Sequence, residues 1–105
     1  GRQANGHNHG AAMGYMAAAT NYGVALGANA RGSDLGIGVG HFANGENNGA
    51  AIGWSSEGGN FGVAIGYLAN GNNYGAAMGF SANGSGSGVA MGRGAWRDQK
   101  LQRQG

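Results

Sequence analysis

The residues best equipped for chemistry in the body of this chain are His7, His9, His41, Asp34, Glu46 and Glu57. His7 and His9 alternate as two side chains on one strand face would, which is the simplest way to present a pair of imidazoles to a metal ion. Neither has a cysteine or carboxylate within a few residues, so solvated surface histidines are the expectation. Only a threefold gathering of His9 or His41 from several copies would complete a three-histidine site. Glu46, Glu57 and Asp34 are scattered, and no serine or threonine has a paired base at a spacing that suggests nucleophilic catalysis. Strings resembling GxGxxG arise by chance in so glycine-rich a chain and carry no phosphate-site meaning without a strand-to-helix context. The expectation is therefore no catalytic residue, no bound cofactor and no metal: a protein that is not an enzyme.

What positions these residues must be unusual, because the composition does not suit a compact globular core. Of 105 residues, 26 are glycine, and much of the apolar fraction is alanine, which buries little surface. Glycine loses the most backbone freedom on folding, so it is tolerated in such quantity only where geometry demands it. Zero cysteine excludes a disulfide scaffold and zero proline argues against collagen. No apolar run approaches the roughly 20 residues of a membrane helix, so membrane insertion by this segment is not expected. Of the 6 cations, Arg93, Arg97, Lys100 and Arg103 lie near the C-terminus, which leaves no basic groove for nucleic acid. A chain opening at Gly1 without methionine is expected to be a processed or excised piece.

A repeat supplies the geometric demand. Cut every 13 residues, the chain reads GAAMGYMAAATNY, GVALGANARGSDL, GIGVGHFANGENN, GAAIGWSSEGGNF, GVAIGYLANGNNY, GAAMGFSANGSGS and GVAMGRGAWRDQK. Residues 1–9 are the tail of a further copy. The copies start at Gly10, Gly23, Gly36, Gly49, Gly62, Gly75 and Gly88, and the fifth position is glycine in each. Positions 2 and 4 are apolar, as in Val24/Leu26, Ile37/Val39 and Val63/Ile65, with alanine or glycine between them. Period two means a strand. One face of it carries Val, Ile, Leu or Met and the other Gly-Ala-Gly, so both faces are expected to be buried. The second half of each copy contains pairs such as Asn5-Gly6, Asn44-Gly45, Asn70-Gly71 and Asn83-Gly84, which suit the left-handed conformation of a sharp corner.

The expected fold is thus all-β: a parallel β-solenoid, or β-roll, of seven 13-residue coils, each turn hydrogen-bonded to those above and below. In this reading the large apolar residues fill the coil, while the Gly-Ala-Gly face has nothing in its own chain to cover it. Other chains would cover it, which makes a cyclic homo-oligomer the economical solution.

GVAIG at 62–66, GVALG at 23–27, GAAIG at 49–53 and GVAMG at 88–92 resemble the SVAIG-type core of YadA-like head repeats, found in trimeric autotransporter adhesins and in bacteriophage tail fibres. The resemblance covers residues 1–92. It differs in having 13 residues per copy rather than the family's fourteen, and glycine where the family has serine. It implies a left-handed parallel β-roll that is trimeric and displayed outside the cell.

Two variable columns are candidate contact surfaces. Position 6 reads Tyr15, Ala28, His41, Trp54, Tyr67, Phe80 and Arg93; position 13 reads His9, Tyr22, Leu35, Asn48, Phe61, Tyr74 and Ser87. Exposed aromatics there would offer flat apolar area to a cell-surface glycan or protein receptor; equally, the rings would stack on one another along the rod. Asparagines at positions 9 and 12 are expected to form amide ladders. From Arg93 the repeat decays, so residues 93–105 read as a cap or an exit to a stalk, with Arg93, Trp96, Arg97 and Lys100 blocking and charging the last edge. Three roles fit: an attachment fibre (phage tail fibre or bacterial adhesin), a self-assembling extracellular filament or matrix protein, and an ice- or mineral-binding rod. The last would need one regular face, and Thr20 is the only threonine.

Overall fold

The computed structural model describes residues 4–84 and 86–95. They form a parallel β-solenoid of about seven turns, and every strand pairs with its neighbours at an offset of 13 residues, as in Val63↔Ala76 and Val63↔Ala50. The strands, in chain order, are β1 (Asn5–Gly6), β2 (Ala11–Met13), β3 (Ala18–Thr20), β4 (Val24–Leu26), β5 (Arg31–Ser33) and β6 (Ile37–Val39). They continue as β7 (Asn44–Glu46), β8 (Ala50–Ile52), β9 (Glu57–Gly59), β10 (Val63–Ile65), β11 (Ala76–Met78) and β12 (Val89–Met91). Two sheets result: a seven-stranded one in the order β12-β11-β10-β8-β6-β4-β2, and a five-stranded one in the order β1-β3-β5-β7-β9. The second is prolonged by single bridges at Asn70 and Asn83. The body is a slab of 44 × 20 × 10 Å.

Through β9 each turn has two strands and two corners rather than the single strand and corner expected from the repeat, and beyond β9 the second strand is reduced to a single bridge. At the first corner the amide of position 8 bonds the carbonyl of position 5, as in Ala17 N–H to Gly14 O at 3.1 Å. Only the second central residue there, position 7, has positive φ, for example Leu68 at 60°, the pattern of a type II turn. At the second corner Gly23 N–H bonds Thr20 O at 2.9 Å, and both central residues are left-handed, Asn21 at 46° and Tyr22 at 68°, as in a type I′ turn. Bulky residues such as Tyr22, Leu35, Phe61 and Tyr74 occupy this conformation, at a cost of about 1–2 kcal/mol each. In return their amides bond the preceding turn: Tyr74 N–H reaches Asn60 O at 3.0 Å.

The Asn-Gly pairs are therefore not corners. Asn44-Gly45 lies in β7 and Asn5-Gly6 forms β1, and glycine is needed there for space: a Cβ on Gly45 would overlap the Ile37 carbonyl of the facing strand. His9 lies in a left-handed corner at φ 67°, not on a strand face beside His7.

The orientation of the strands is also the reverse of that expected from hydrophobicity. The interior is lined by alanine: Ala25, Ala51, Ala64 and Ala77 from one sheet, and Ala17, Ala30, Ala43, Ala69 and Ala82 from the first corner, all essentially inaccessible. Ser56 takes the corner place in one turn and satisfies its buried hydroxyl on Gly53 O at 3.0 Å. Val, Ile, Leu and Met at positions 2 and 4 point outward, so the Gly-Ala-Gly face is covered within the chain and the large apolar face is not. Thickness explains this: the sheets approach so closely that a methyl group fills the gap. Since each buried methyl contributes only about 0.8 kcal/mol, the rungs of backbone hydrogen bonds must hold the coil together, each replacing water on a group that burial would otherwise orphan.

Candidate functional site

Alternation along the strands gives the slab two unlike faces. Outside the seven-stranded sheet lie the position 2 and position 4 columns, among them Ile37, Ile52, Ile65, Met78 and Met91, with between 38% and 62% of each side chain's residue surface exposed. No charged residue occurs at position 2 or 4 of any turn. Outside the five-stranded sheet the corresponding residues are Arg31, Ser33, Asn44, Glu46, Glu57, Asn70 and Asn72. A contiguous apolar face on a slab this thin is the most informative surface feature of the molecule, because scattered apolar residues are ordinary whereas patches of several hundred Å² mark interaction sites.

The two aromatic columns border that face, one at each corner. In the position 6 column Trp54 stacks on Tyr67 with centroids 4.8 Å apart at 9°, and Tyr67 on Phe80 at 5.0 Å and 8°. His41 meets Trp54 edge-on at 6.1 Å and tilts over Phe42 at 4.4 Å. Ala28 separates this run from Tyr15. In the position 13 column Phe61 stacks on Tyr74 at 5.2 Å, and His9 on Tyr22 at 4.9 Å. Tyr15, Trp54, Tyr67, Phe80, Tyr22, Phe61 and Tyr74 are all exposed. The ring faces inside each run are occupied by neighbouring rings, so what solvent meets is mostly ring edge. A sugar that stacks needs a free face, which limits such contacts to the ends of the runs.

Position 12 carries an amide ladder with a direction. Asn8 Nδ2 donates to Asn21 Oδ1 at 2.8 Å and Asn21 Nδ2 to Asp34 Oδ1 at 2.7 Å. A second segment runs from Asn47 to Asn60 and from Asn60 to Asn73, each at 2.9 Å. The gap between segments follows from chemistry: the Asp34 carboxylate accepts but has no N–H to pass on. At position 9 the bonding is different, since Asn70 Oδ1 accepts from Asn72 Nδ2 within its own turn at 2.8 Å.

On the polar face Glu46, Glu57, Asn60, Asn72 and Asn73 surround an open depression over Gly59. Gly59 stands in the position 11 column between Glu46 and Asn72, and the missing side chain makes the hollow. Sequence reasoning kept Glu46 and Glu57 apart because they occupy different columns. The signal was available in the alternation, which turns positions 9 and 11 to the same side. Open to water and shallow, the depression lacks the solvent exclusion that strengthens catalytic electrostatics. Among the described residues no group of three or more His, Cys, Asp or Glu side chains is placed to hold a metal ion, and no helix is long and apolar enough to cross a membrane.

The coil's hydrogen bonding continues to Ala95, whose carbonyl accepts from Asn83 N–H at 2.8 Å. Arg93 is exposed at the first corner of the last turn. Trp96, Arg97 and Lys100, the rest of the expected cap, lie outside the described residues. No family model, curated protein or solved structure matches the chain.

Proposed function

We propose that this chain is a structural and adhesive segment of an extracellular trimeric fibre, a bacteriophage tail fibre or bacterial surface adhesin, that mediates attachment to a host surface. The observation that carries this reading is the flat solenoid with one wholly uncharged apolar face and one polar face: a strut built to be bundled. The YadA-like character of the GVAIG cores supports the same role, and with it a left-handed coil. Dimensions favour three copies. Three slabs of 20 Å width closing a triangular prism set each sheet about 6 Å from the axis, close to half the roughly 10 Å between packed sheets, so side chains fill the centre without a channel. The role is non-enzymatic, and the partner is a cell-surface glycan or protein.

An ice- or mineral-binding rod would need a lattice of like residues, whereas position 4 passes through Met13, Leu26, Val39, Ile52, Ile65, Met78 and Met91. The fibre reading is tested by native mass spectrometry of the chain at several concentrations, followed by binding of the resulting particle to glycan arrays and whole cells. A discrete three-chain species that binds is the expected result. Open-ended polymers would replace the fibre segment with a filament protein, and a persistent monomer would remove the bundled strut altogether.

A further inference from the structure

We infer that a notch in the position 6 column, over Ala28 and Asn29, is a binding site for a single pyranose ring. The inference rests on the fibre reading only for the source of that ring, a cell-surface glycan, and adds the place at which the glycan is held.

The notch is a break in an otherwise bulky column. In the turns on either side, positions 6 and 7 are Tyr15-Met16 and His41-Phe42, and between them stand Ala28 and Asn29. The backbone does not close up to compensate: Asn29 N–H bonds Tyr15 O at 2.9 Å, and Phe42 N–H bonds Ala28 O at 3.1 Å. Tyr15 and the His41-Phe42 pair are therefore anchored two rungs apart, about 9.6 Å, with a methyl group and a short amide side chain at the base. The walls are unused. Among the described residues Tyr15 has no ring partner, and Tyr15, Met16 and Phe42 are each about half exposed. The second wall is braced, since the His41 ring lies 4.4 Å from that of Phe42 and meets Trp54 edge-on at 6.1 Å.

Height and polarity select the occupant. Further along the column the rings of Trp54, Tyr67 and Phe80 stack one per rung, 4.8 and 5.0 Å apart, so two rungs leave room for one inserted ring. A flat aromatic ring touching both walls spans roughly 7–8 Å at carbon–carbon separations of about 3.5–4.0 Å, which leaves the notch underfilled. A puckered saturated ring, with C–H groups on both faces, is thicker and fills it. The Asn29 amide at the base, with the Tyr15 hydroxyl and the His41 imidazole on the walls, supplies donors and acceptors for hydroxyl groups. Apolar walls with a few polar groups that fix orientation are the ordinary make-up of a small-ligand site. No carboxylate, lysine or arginine occurs at positions 6 and 7 of these three turns, which favours an uncharged sugar over an acidic one.

The test is saturation-transfer NMR on the full chain with the methyl glycosides of glucose, galactose, mannose and N-acetylglucosamine, and with indole as a flat aromatic competitor. At least one glycoside is expected to bind with a Kd on the order of 1 mM, the scale of so small a ligand, with transfer strongest at its ring C–H protons. Ala28→Tyr fills the notch with a ring that the column already accepts at Tyr67, and should weaken binding about tenfold or more with the circular dichroism spectrum unchanged. Asn48→Tyr adds the same ring to the position 13 column, beside Phe61, and should bind as the parent does. Should Ala28→Tyr fail to fold, Tyr15→Ser, which removes one wall, serves in its place. Absence of transfer to all of these glycosides, undiminished binding by the notch variant, or uptake of indole in preference to every glycoside would each overturn the site. A parent that takes up a glycoside at the notch yet stays monomeric would uphold the site and remove the fibre. A trimer that binds cells equally well with and without Ala28→Tyr would leave the fibre standing and remove the site.

Discussion

The two sheets share one interior yet differ in persistence. The seven-stranded sheet runs unbroken from β2 to β12, while the five-stranded one fades after β9 into single bridges at Asn70 and Asn83. Inside, both present alanine or glycine, so the interior does not make the difference. Outside, the first presents mainly Val, Ile, Leu and Met, and the second, where it fades, presents Glu57, Gly59, Asn70 and Asn72, residue types that suit a pleated surface poorly. The comparison teaches that in this slab the inward residues decide whether a coil can close at all, and the outward residues decide how regular each strand is.

The largest effect should come from breaking that division of labour within one strand. In β10, Ala64 faces inward and is fully buried, while its neighbour Ile65 faces out. Ala64→Leu is expected to cost about 3 kcal/mol or more through overpacking, enough to unfold the coil in a chemical denaturation experiment. Ile65→Ala should leave the folding stability of a single chain within about 1 kcal/mol. Its effect should appear in association instead, weakened about tenfold, or about 1.4 kcal/mol, in sedimentation equilibrium. If the two substitutions exchanged their effects, the sheets would be inside out relative to the structure.

A smaller effect belongs to the corner that joins the faces. Asp34→Asn supplies the missing N–H, links the two ladder segments through Asn47, and should raise stability by about 1 kcal/mol, read as a higher urea midpoint. Asn60→Asp should remove the donor to Asn73 and lower it by a similar amount, about 1 kcal/mol. The smallest effect sharpens the contrast of strand regularity. Replacing Asn70 and Asn72 together by threonine should extend the second sheet for a gain of about 0.5 kcal/mol, visible as slower hydrogen exchange at Gly71, whose N–H bonds Glu57 O at 2.9 Å.

Much of this fold was legible in the sequence. Glycine at positions 1 and 5 gave the 13-residue register, and the aromatic and asparagine columns gave the stacked rings and the amide ladder because like residues recurring at that spacing must lie one above another. Orientation was misread, and for a physical reason. Period-two alternation says which residues share a face but not which face is inward, and hydrophobicity favours the Val and Ile columns for the interior. The better clue was size: Ala64 at position 3, Ala69 at position 8 and Gly71 at position 10 are small together, so they face one another across a gap too thin for anything larger. The Asn-Gly pairs misled similarly, since their turn chemistry is real in other settings but here glycine answers a close backbone approach. No propensity would have placed Tyr22, Leu35 or Phe61 at positive φ, because the local preference of each residue opposes it and only the repeated rung overrides it.

The constant thinness of the interior has a consequence for length. Every turn offers the next the same backbone edge, and the methyl-wide gap rejects any slip that would bring a position 2 or 4 side chain inside. Whole turns can be added or removed with the cross-section, the outer face and the ladders unchanged, whereas a partial turn would disrupt all of them. The molecule is in effect a ruler graduated in steps of about 4.8 Å, in which duplication of a 13-residue unit changes reach and nothing else.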